Sequence, residues 1–221
     1  MNKEWSDRNK NMQLLLRKKD TFAAGINECI GLREKLFSTI TKLFDSLSDE
    51  QLCLMPFPNA KGYHSKTIAY SVWHIFRIED ITAHTLICKD EQVLFRDNHL
   101  KRTGSPIITT GNELVGKEIA EFSKKLDKNE LLNYATAVKQ SSDSILRSLS
   151  YQDTKRKFDN EDKERIVASK CVSDDENAVW LIDYWRGKDV AGIIRMPFSR
   201  HHIMHTEAML RIAQKIGVSI N

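Results

Sequence analysis

The chain contains 221 residues, of which 41% are hydrophobic and 29% are charged, with nine glycines and four prolines. A chain of this length can bury a core large enough to fold without disulfide bonds or a structural metal. The low content of turn-forming residues favours long helices. Because 34 basic residues face 30 acidic ones, for a net charge of +4, the composition argues against nucleic-acid binding.

The cysteines and the N-terminal sequence predict a cytoplasmic location. The first residues, Met-Asn-Lys-Glu-Trp-Ser-Asp, contain no apolar core of the kind that a signal peptide needs. No segment approaches the roughly 20 apolar residues that span a bilayer. We therefore expect no nucleic-acid or membrane partner, and reduced thiols at the four well-separated cysteines. These are Cys29, Cys53, Cys88 and Cys171.

The N-terminal part of the chain predicts two long helices. Apolar residues recur at three- and four-residue steps from Phe22 to Leu47, which indicates one face of a helix. Residues 1–20 are more polar, and we expect a polar N-terminal arm or helix there, followed by a single domain of residues 21–221. The segment from Ser65 to Cys88 is apolar on nearly every side, which is typical of a helix in the middle of a bundle.

The C-terminal part predicts further helices separated by polar connections. Residues 151–170 are strongly charged and are expected to form a long loop or insertion. Ser173 and Glu176 have the spacing of a capping box ahead of a short apolar segment that would end at Gly187. Helical periodicity marks residues 112–126, 129–150 and 189–216. The predicted fold class is all-α, a four-helix bundle with additional short helices in the long connections.

The strongest chemical signal is a pair of histidines one turn apart in the last predicted helix, His201 and His205. At about 100° per residue, His205 lies about 40° from His201. Both face the apolar stripe that contains Phe198, Ala208 and Ile212, whereas the long polar side chains lie opposite. Two imidazoles placed in this way can hold one metal ion from one side.

Other interpretations of this motif stay open. HxxxH pairs often arise by chance, and the histidines then lie at the core edge and pair with carbonyls or carboxylates. Against this, each neutral imidazole on an apolar face needs a partner, at a cost on the order of 1–3 kcal/mol when unpaired. A shared metal ion satisfies both. His202 lies about 100° from His201 and is an alternative ligand, paired with His205.

A third ligand has to come from another helix, and His74 is the strongest candidate. Its helical row runs from Thr67 through Tyr70 and Ile78 to Thr85 without a charged residue. Since the whole helix is apolar, this phase argument is weaker than the one for the last helix. A core histidine with an ordinary hydrogen-bond partner is the alternative. We expect surface or packing positions for the remaining histidines, His64, His84 and His99.

The sequence resembles the DinB-like superfamily. Trp73-His74-Ile75 followed by Glu79-Asp80 resembles the WHI…ED stretch of that family, and the HxxxH of His201 and His205 matches its other characteristic motif. The order of elements is also similar, and the resemblance extends from about residue 22 to residue 216. The chain departs from the family in the long charged stretch 151–190, which suggests a cover over the site, and in the doubled His201-His202.

The resemblance implies a four-helix bundle in which His74, His201 and His205 hold one divalent metal ion, zinc or nickel, often within a homodimer. Some relatives are thiol S-transferases or isomerases that use a low-molecular-weight thiol such as mycothiol or bacillithiol. All-nitrogen ligation also suits zinc and nickel better than magnesium. Three histidine ligands leave a position for water or a substrate thiolate, so no protein side chain is assigned as catalytic.

Glu79 and Asp80 are expected to form surface salt bridges. They lie about 140° and 240° from His74 on the helical wheel, which argues against direct ligation. The alternative is that they support the ligands or act as a base.

Three functional hypotheses follow from the sequence. The first is a metal-dependent enzyme, a thiol S-transferase or a hydrolase, acting on a small-molecule substrate. The second is a non-catalytic metal-binding or stress-response protein, and the third is a purely structural helical protein.

Overall fold

A computed structural model describes residues 2–220, and the predicted all-α fold is confirmed for that part of the chain. Met1 and Asn221, the outer ends of the two predicted segments, lie outside the described residues. Between residues 2 and 220, extended backbone pairs only in an isolated bridge between Lys157 and Asp189. The α-helices are α1 (Lys3–Leu15), α2 (Phe22–Ser46), α3 (Asp49–Leu52), α4 (Ile68–Asp80), α5 (His99–Thr103), α6 (Lys117–Lys125), α7 (Lys128–Ser148), α8 (Asn160–Ser169), α9 (Trp180–Arg186), α10 (Val190–Arg195) and α11 (His201–Lys215).

Four of these helices form the predicted bundle. Helix α4 packs against α7 and α11, and α2 packs against the same two helices, so α2 and α4 face each other across the bundle. Every residue of α4 is buried, as its apolar composition predicts. The short helices α3, α5, α6, α8 and α9 lie in the long connections, and short 3₁₀ turns cover Lys19–Thr21, Gly62–His64, Val93–Asn98 and Asp153–Lys155.

Two π-helical segments adjoin the long helices, a feature that the periodicity did not predict. Helix α4 continues directly into the π-helical segment Ile81–Cys88, and a second π-helical segment, Met196–Arg200, joins α10 to α11. Pro197 lies in the second segment, where it lacks the N–H that an α-helical ladder requires. Segments of this kind occur often at functional sites, and here one of them ends immediately before His201.

The charged stretch forms more helix than the sequence predicted. Helix α8 lies inside residues 151–170, so the prediction of a long loop there is wrong. Asp159 and Asp162 form a capping box at its start, and Ile166 is its one buried apolar residue. Charges around this single buried apolar position hid the helical pattern.

The start of α9 also differs from the prediction, whereas its end agrees. The expected capping box of Ser173 and Glu176 does not form, because the helix begins only at Trp180. Ser173 instead accepts a hydrogen bond from the backbone N–H of Asp175 within the preceding turn. Gly187 ends the helix as predicted.

The polar N-terminal segment forms α1, which packs along α2. It buries Trp5 and Met12 against the bundle, and Arg8 forms an ion pair with Glu28 of α2 at 2.9 Å. No helix between residues 2 and 220 is both long and apolar enough to cross a membrane.

Candidate metal centre

The structure brings three histidines together at the interface of α4 and α11. His74 lies in the middle of α4, and His201 and His205 occupy the first two turns of α11. Their ring centroids are 4.6 to 5.0 Å apart, and the side chains are only 6%, 6% and 2% exposed. One nitrogen of each ring lies within 4.8 Å of the others. Around one zinc ion, nitrogens at about 2.0 Å from the metal would lie about 3.3 Å apart.

The tautomer of His74 follows from its hydrogen bond. Its Nδ1 lies 2.8 Å from the carbonyl oxygen of Thr110. Since a carbonyl only accepts, Nδ1 carries the proton and Nε2 keeps a free lone pair. A ring held by a backbone carbonyl in this way is the usual arrangement of a histidine that binds a metal.

The loop that holds His74 is itself held by α4. Gly111 in this loop has a φ of 77°, and a Cβ there would lie 3.1 Å from the Tyr70 ring, so the turn requires glycine. Side chains on one face of α4 donate to consecutive carbonyls of the loop: Tyr70 to Gly111, Trp73 to Thr109, His74 to Thr110 and Arg77 to Ile108. The orientation of the His74 ring is therefore fixed by contacts more than 30 residues away in the sequence.

Nitrogens of the other two histidines lack partners among the described residues. Nδ1 of His201 and both ring nitrogens of His205 are buried without a hydrogen bond. Burial lowers the pKa of His74 to about 4. Burial, and then the neighbouring imidazoles, lower the pKa of His201 and His205 well below the ordinary value. Neutral imidazoles with open lone pairs are the form that binds a metal, so these side chains fit a divalent ion with nitrogen preference.

His202, the alternative ligand, does not belong to this cluster. Its ring packs edge-on against Phe76, with centroids 5.1 Å apart. Its Nε2 lies 2.7 Å from a carboxylate oxygen of Glu79.

Glu79 is fully buried, so the prediction that it forms a surface salt bridge is wrong. Arg33 of α2 donates to both of its carboxylate oxygens, at 2.8 and 2.7 Å, and also to Asp143 and to the carbonyl of Phe198. Burial alone would raise the pKa of Glu79, but the charge of Arg33 and the contact with His202 hold it well below its usual range. These contacts connect the four helices α2, α4, α7 and α11 next to the histidines.

Asp80 is also fully buried, so the prediction of a surface salt bridge is wrong for this residue too. It accepts hydrogen bonds from Arg77 at 2.9 Å and from the hydroxyl of Tyr134 at 2.8 Å. It also accepts from the backbone N–H groups of Val93 and Leu94. Asp80 thus anchors the connection after α4 and takes no part in the histidine cluster.

The remaining histidines lie outside the cluster, as expected. His84 is buried and contacts Asp90 at 2.6 Å and Ser141 at 3.0 Å. His99 is buried with its ring 5.8 Å from that of Tyr134. Nε2 of His64 lies 3.3 Å from the Arg211 guanidinium.

A cavity of about 250 Å³ opens beside the cluster and is lined by His74 and His201. Helix α9 contributes part of its wall, including Trp180 and Trp185, so the charged stretch 151–190 does supply a cover for the site. Tyr63 lines the same cavity and packs edge-on against His205, with centroids 4.7 Å apart. These aromatic residues were not predicted from the sequence to lie at the site. The aromatic cluster Trp-Leu-Ile-Asp-Tyr-Trp inside a charged stretch was the available signal.

In comparisons with known proteins, the chain matches no protein-family model and no curated sequence.

Proposed function

We propose that the chain is a DinB-like, metal-dependent enzyme that binds one zinc or nickel ion through His74, His201 and His205. It acts on a small molecule as a thiol S-transferase or a hydrolase. The observation that carries the proposal is the set of three buried imidazoles whose nitrogens converge within 4.8 Å. Several of those nitrogens lack a partner in the described part of the chain.

Some side chains at the site would bind the metal ion, and others orient the ligands or line the cavity. A bound metal ion would supply Lewis-acid chemistry, polarising a substrate oxygen or holding a thiolate. The carbonyl of Thr110 keeps the proton of His74 on Nδ1. Burial raises the pKa of Tyr63, so its hydroxyl keeps its proton at neutral pH and can donate to a ligand in the cavity.

The DinB-like resemblance supports two further parts of this proposal, a low-molecular-weight thiol as cosubstrate and a homodimer as the assembly. Thiol transfer and hydrolysis need the same feature, an open position on the ion that faces the cavity. The cavity beside His74 and His201 provides room for such a ligand.

Metal content tests the proposal. Elemental analysis of protein purified without an affinity tag should find about one zinc or nickel per chain. The double variant His201→Ala/His205→Ala should contain none, and chelation should abolish any activity. The matched control is His64→Ala, which removes a histidine outside the cluster and should retain the metal. Wild-type protein that is folded and stays metal-free after incubation with both ions would refute the proposal.

A non-catalytic metal-binding or stress-response protein is the second candidate, favoured by the depth at which the histidines are buried. The cobalt-substituted protein distinguishes the two functions. For an enzyme, azide or a thiol should change the visible spectrum, because each ligand occupies the open position. An unchanged spectrum would indicate a coordinatively closed ion and would support the second candidate.

A further inference from the structure

The cavity beside the histidines also indicates a substrate class. We propose that the substrate carries an uncharged aromatic ring with a short substituent, and that the ring binds between α9 and the imidazoles. This inference rests on the proposed function for the reaction, but the binding step depends only on the cavity itself. Four features of the cavity carry it: its size, the absence of charged side chains, the aromatic walls and the placement of polar groups.

The size of the cavity selects a small ligand. Its volume is about 250 Å³, whereas an apolar cavity of about 150 Å³ in a protein is large enough to bind benzene. The space therefore accommodates one ring and a short substituent. A larger conjugated thiol would have to extend out of the cavity into solvent.

The walls offer no charge to a ligand. Among the described residues that line the cavity there is no aspartate, glutamate, lysine or arginine. The ammonium of Lys66 lies instead over the Tyr70 ring, 4.9 Å from its centroid, and Lys66 is not part of the lining. In the metal-free protein, a carboxylate or ammonium buried in this cavity would lose its hydration without gaining a counter-ion, which is costly. The side chains of the lining therefore select against charged groups, and a thiolate or other anion would need the metal ion as its counter-charge.

The walls are rich in aromatic rings. Tyr63 and three residues of α9, Trp180, Tyr184 and Trp185, line the cavity. Trp180 and Tyr184 already pack edge-on at 5.7 Å with an interplanar angle of 71°. Aromatic rings pack favourably in edge-on or offset arrangements with other rings, so this wall favours a planar ring over a flexible chain.

Polar groups line the cavity in only a few places. The imidazoles of His74 and His201 contribute to the lining, together with Asn112. The side-chain oxygen of Asn112 accepts from the Thr110 hydroxyl at 2.8 Å, so its amide NH₂ is the group that Asn112 can offer. A ring bound against the aromatic wall would direct its substituent towards these groups, where the reaction is proposed to occur.

The test uses the metal-free protein, so its result does not depend on the metal. Three probes share one ring and differ in charge: benzyl alcohol, benzoate and benzylammonium. Binding is followed by NMR titration of the indole N–H signals of the four tryptophans. Benzyl alcohol should shift the signals of Trp180 and Trp185 and bind at least tenfold more tightly than either charged probe. Trp5 and Trp73, which do not line the cavity, should not respond.

Two variants connect the binding to the cavity. Trp180→Ala and Tyr63→Ala remove side chains that are 50% and 36% exposed, so both variants should fold and should bind benzyl alcohol about tenfold more weakly. Val167→Ala is the matched control, because Val167 is 54% exposed on α8 and does not line the cavity. It should bind as the wild type does.

The outcomes separate this inference from the proposed function. Equal affinity for a charged probe, binding that shifts Trp5 or Trp73 instead, unchanged affinity in Trp180→Ala, or no binding at all would overturn the substrate class. None of these results bears on metal content. Conversely, wild-type protein that binds benzyl alcohol selectively but takes up neither zinc nor nickel on incubation would overturn the metal-dependent function and leave the ring-binding cavity intact.

Discussion

Helix α4 contains two buried polar regions, one in which the polar groups have hydrogen-bond partners and one in which several lack them. Near its C-terminal end, Asp80 accepts four hydrogen bonds and Glu79 is held by the Arg33 guanidinium. In its middle, His74 meets His201 and His205, three of whose four ring nitrogens are buried without partners in the described chain. Folding alone explains the first region, because each charge is compensated. It does not explain the second, whose buried nitrogens find no partner among the described residues.

The difference is energetic as well as geometric. Buried charges persist when they are paired and hydrogen-bonded, and removing one partner is costly. Buried neutral groups without partners reduce stability, so a fold keeps them only when another requirement applies. The comparison therefore predicts opposite signs for substitutions in the two regions.

The largest expected effect is at Asp80. The variant Asp80→Ala leaves Arg77 without its buried counter-ion and leaves the N–H groups of Val93 and Leu94 without an acceptor. We expect the free energy of unfolding to fall by about 3–5 kcal/mol, measured by urea denaturation. Asp80→Asn keeps an acceptor and should lose less. A loss below about 1 kcal/mol for Asp80→Ala would show that the region tolerates an unpaired charge.

The next effect is on the pH dependence of the metal-free protein. The pKa of His74 is lowered by burial to about 4, whereas an unfolded imidazole titrates near about 6.5. Below about pH 6.5 the unfolded chain binds the proton first, so stability present above that pH is lost as the pH falls towards about 4. For His74 alone the loss reaches about 3 kcal/mol at about pH 4.

The control for this titration is the variant His74→Leu. Urea denaturation between about pH 7 and 4 should give a shallower loss for the variant than for the wild type, because one depressed pKa is absent. Equal slopes would mean that His74 is not held neutral by burial. Acid-sensitive groups remote from the cluster cancel in the comparison because both proteins contain them.

A substitution within the histidine cluster should change the free energy of unfolding in the opposite direction. Both ring nitrogens of His205 are buried without partners, so His205→Leu replaces two unsatisfied groups with apolar atoms of similar size. In the presence of a chelator we expect unchanged stability or a gain of about 1–2 kcal/mol. With metal present, the wild type should become the more stable protein, since only it binds the ion. A loss above about 2 kcal/mol in chelator would assign His205 a structural role instead.

The smallest effect is expected at an exposed ion pair. Nζ of Lys163 on α8 lies 2.6 Å from Asp183 on α9, with the side chains 42% and 73% exposed. Solvent screens such a pair, so Asp183→Asn should change the free energy of unfolding by less than about 0.5 kcal/mol. A large effect here would mean that burial is not what distinguishes the Asp80 region.

Features of the fold that depend on local spacing could be predicted from the sequence, whereas features that depend on distant contacts could not. The long helices were predicted because their apolar spacing is local, and α2 begins and ends within a residue of the predicted bounds, at Phe22 and Ser46. Helix α8 was missed because one buried isoleucine among many charges gives little periodicity. Neither π-helical segment was predicted, since a helical wheel assumes a constant turn per residue.

The candidate site shows the same limit. His201 and His205 are one turn apart, so their shared face is visible in the sequence, and the structure brings His74 to them. The burial of Glu79 was not visible, because its partner Arg33 lies 46 residues away. The carbonyl that orients His74 lies 36 residues away in a loop whose conformation depends on glycine. Contacts of this range have no counterpart in local spacing.

The π-helical segment Met196–Arg200 has a consequence for insertions and deletions. A π-helical turn takes up about one residue more than an α-helical turn, so a chain with one residue fewer between α10 and α11 could run as an uninterrupted α-helix without turning the later side chains. His201 and His205 would then still face His74, whereas the loss of a second residue would turn them by about 100° relative to α10. Related chains should therefore differ by at most one residue between Arg195 and His201, while loop lengths on either side of the bundle vary more freely.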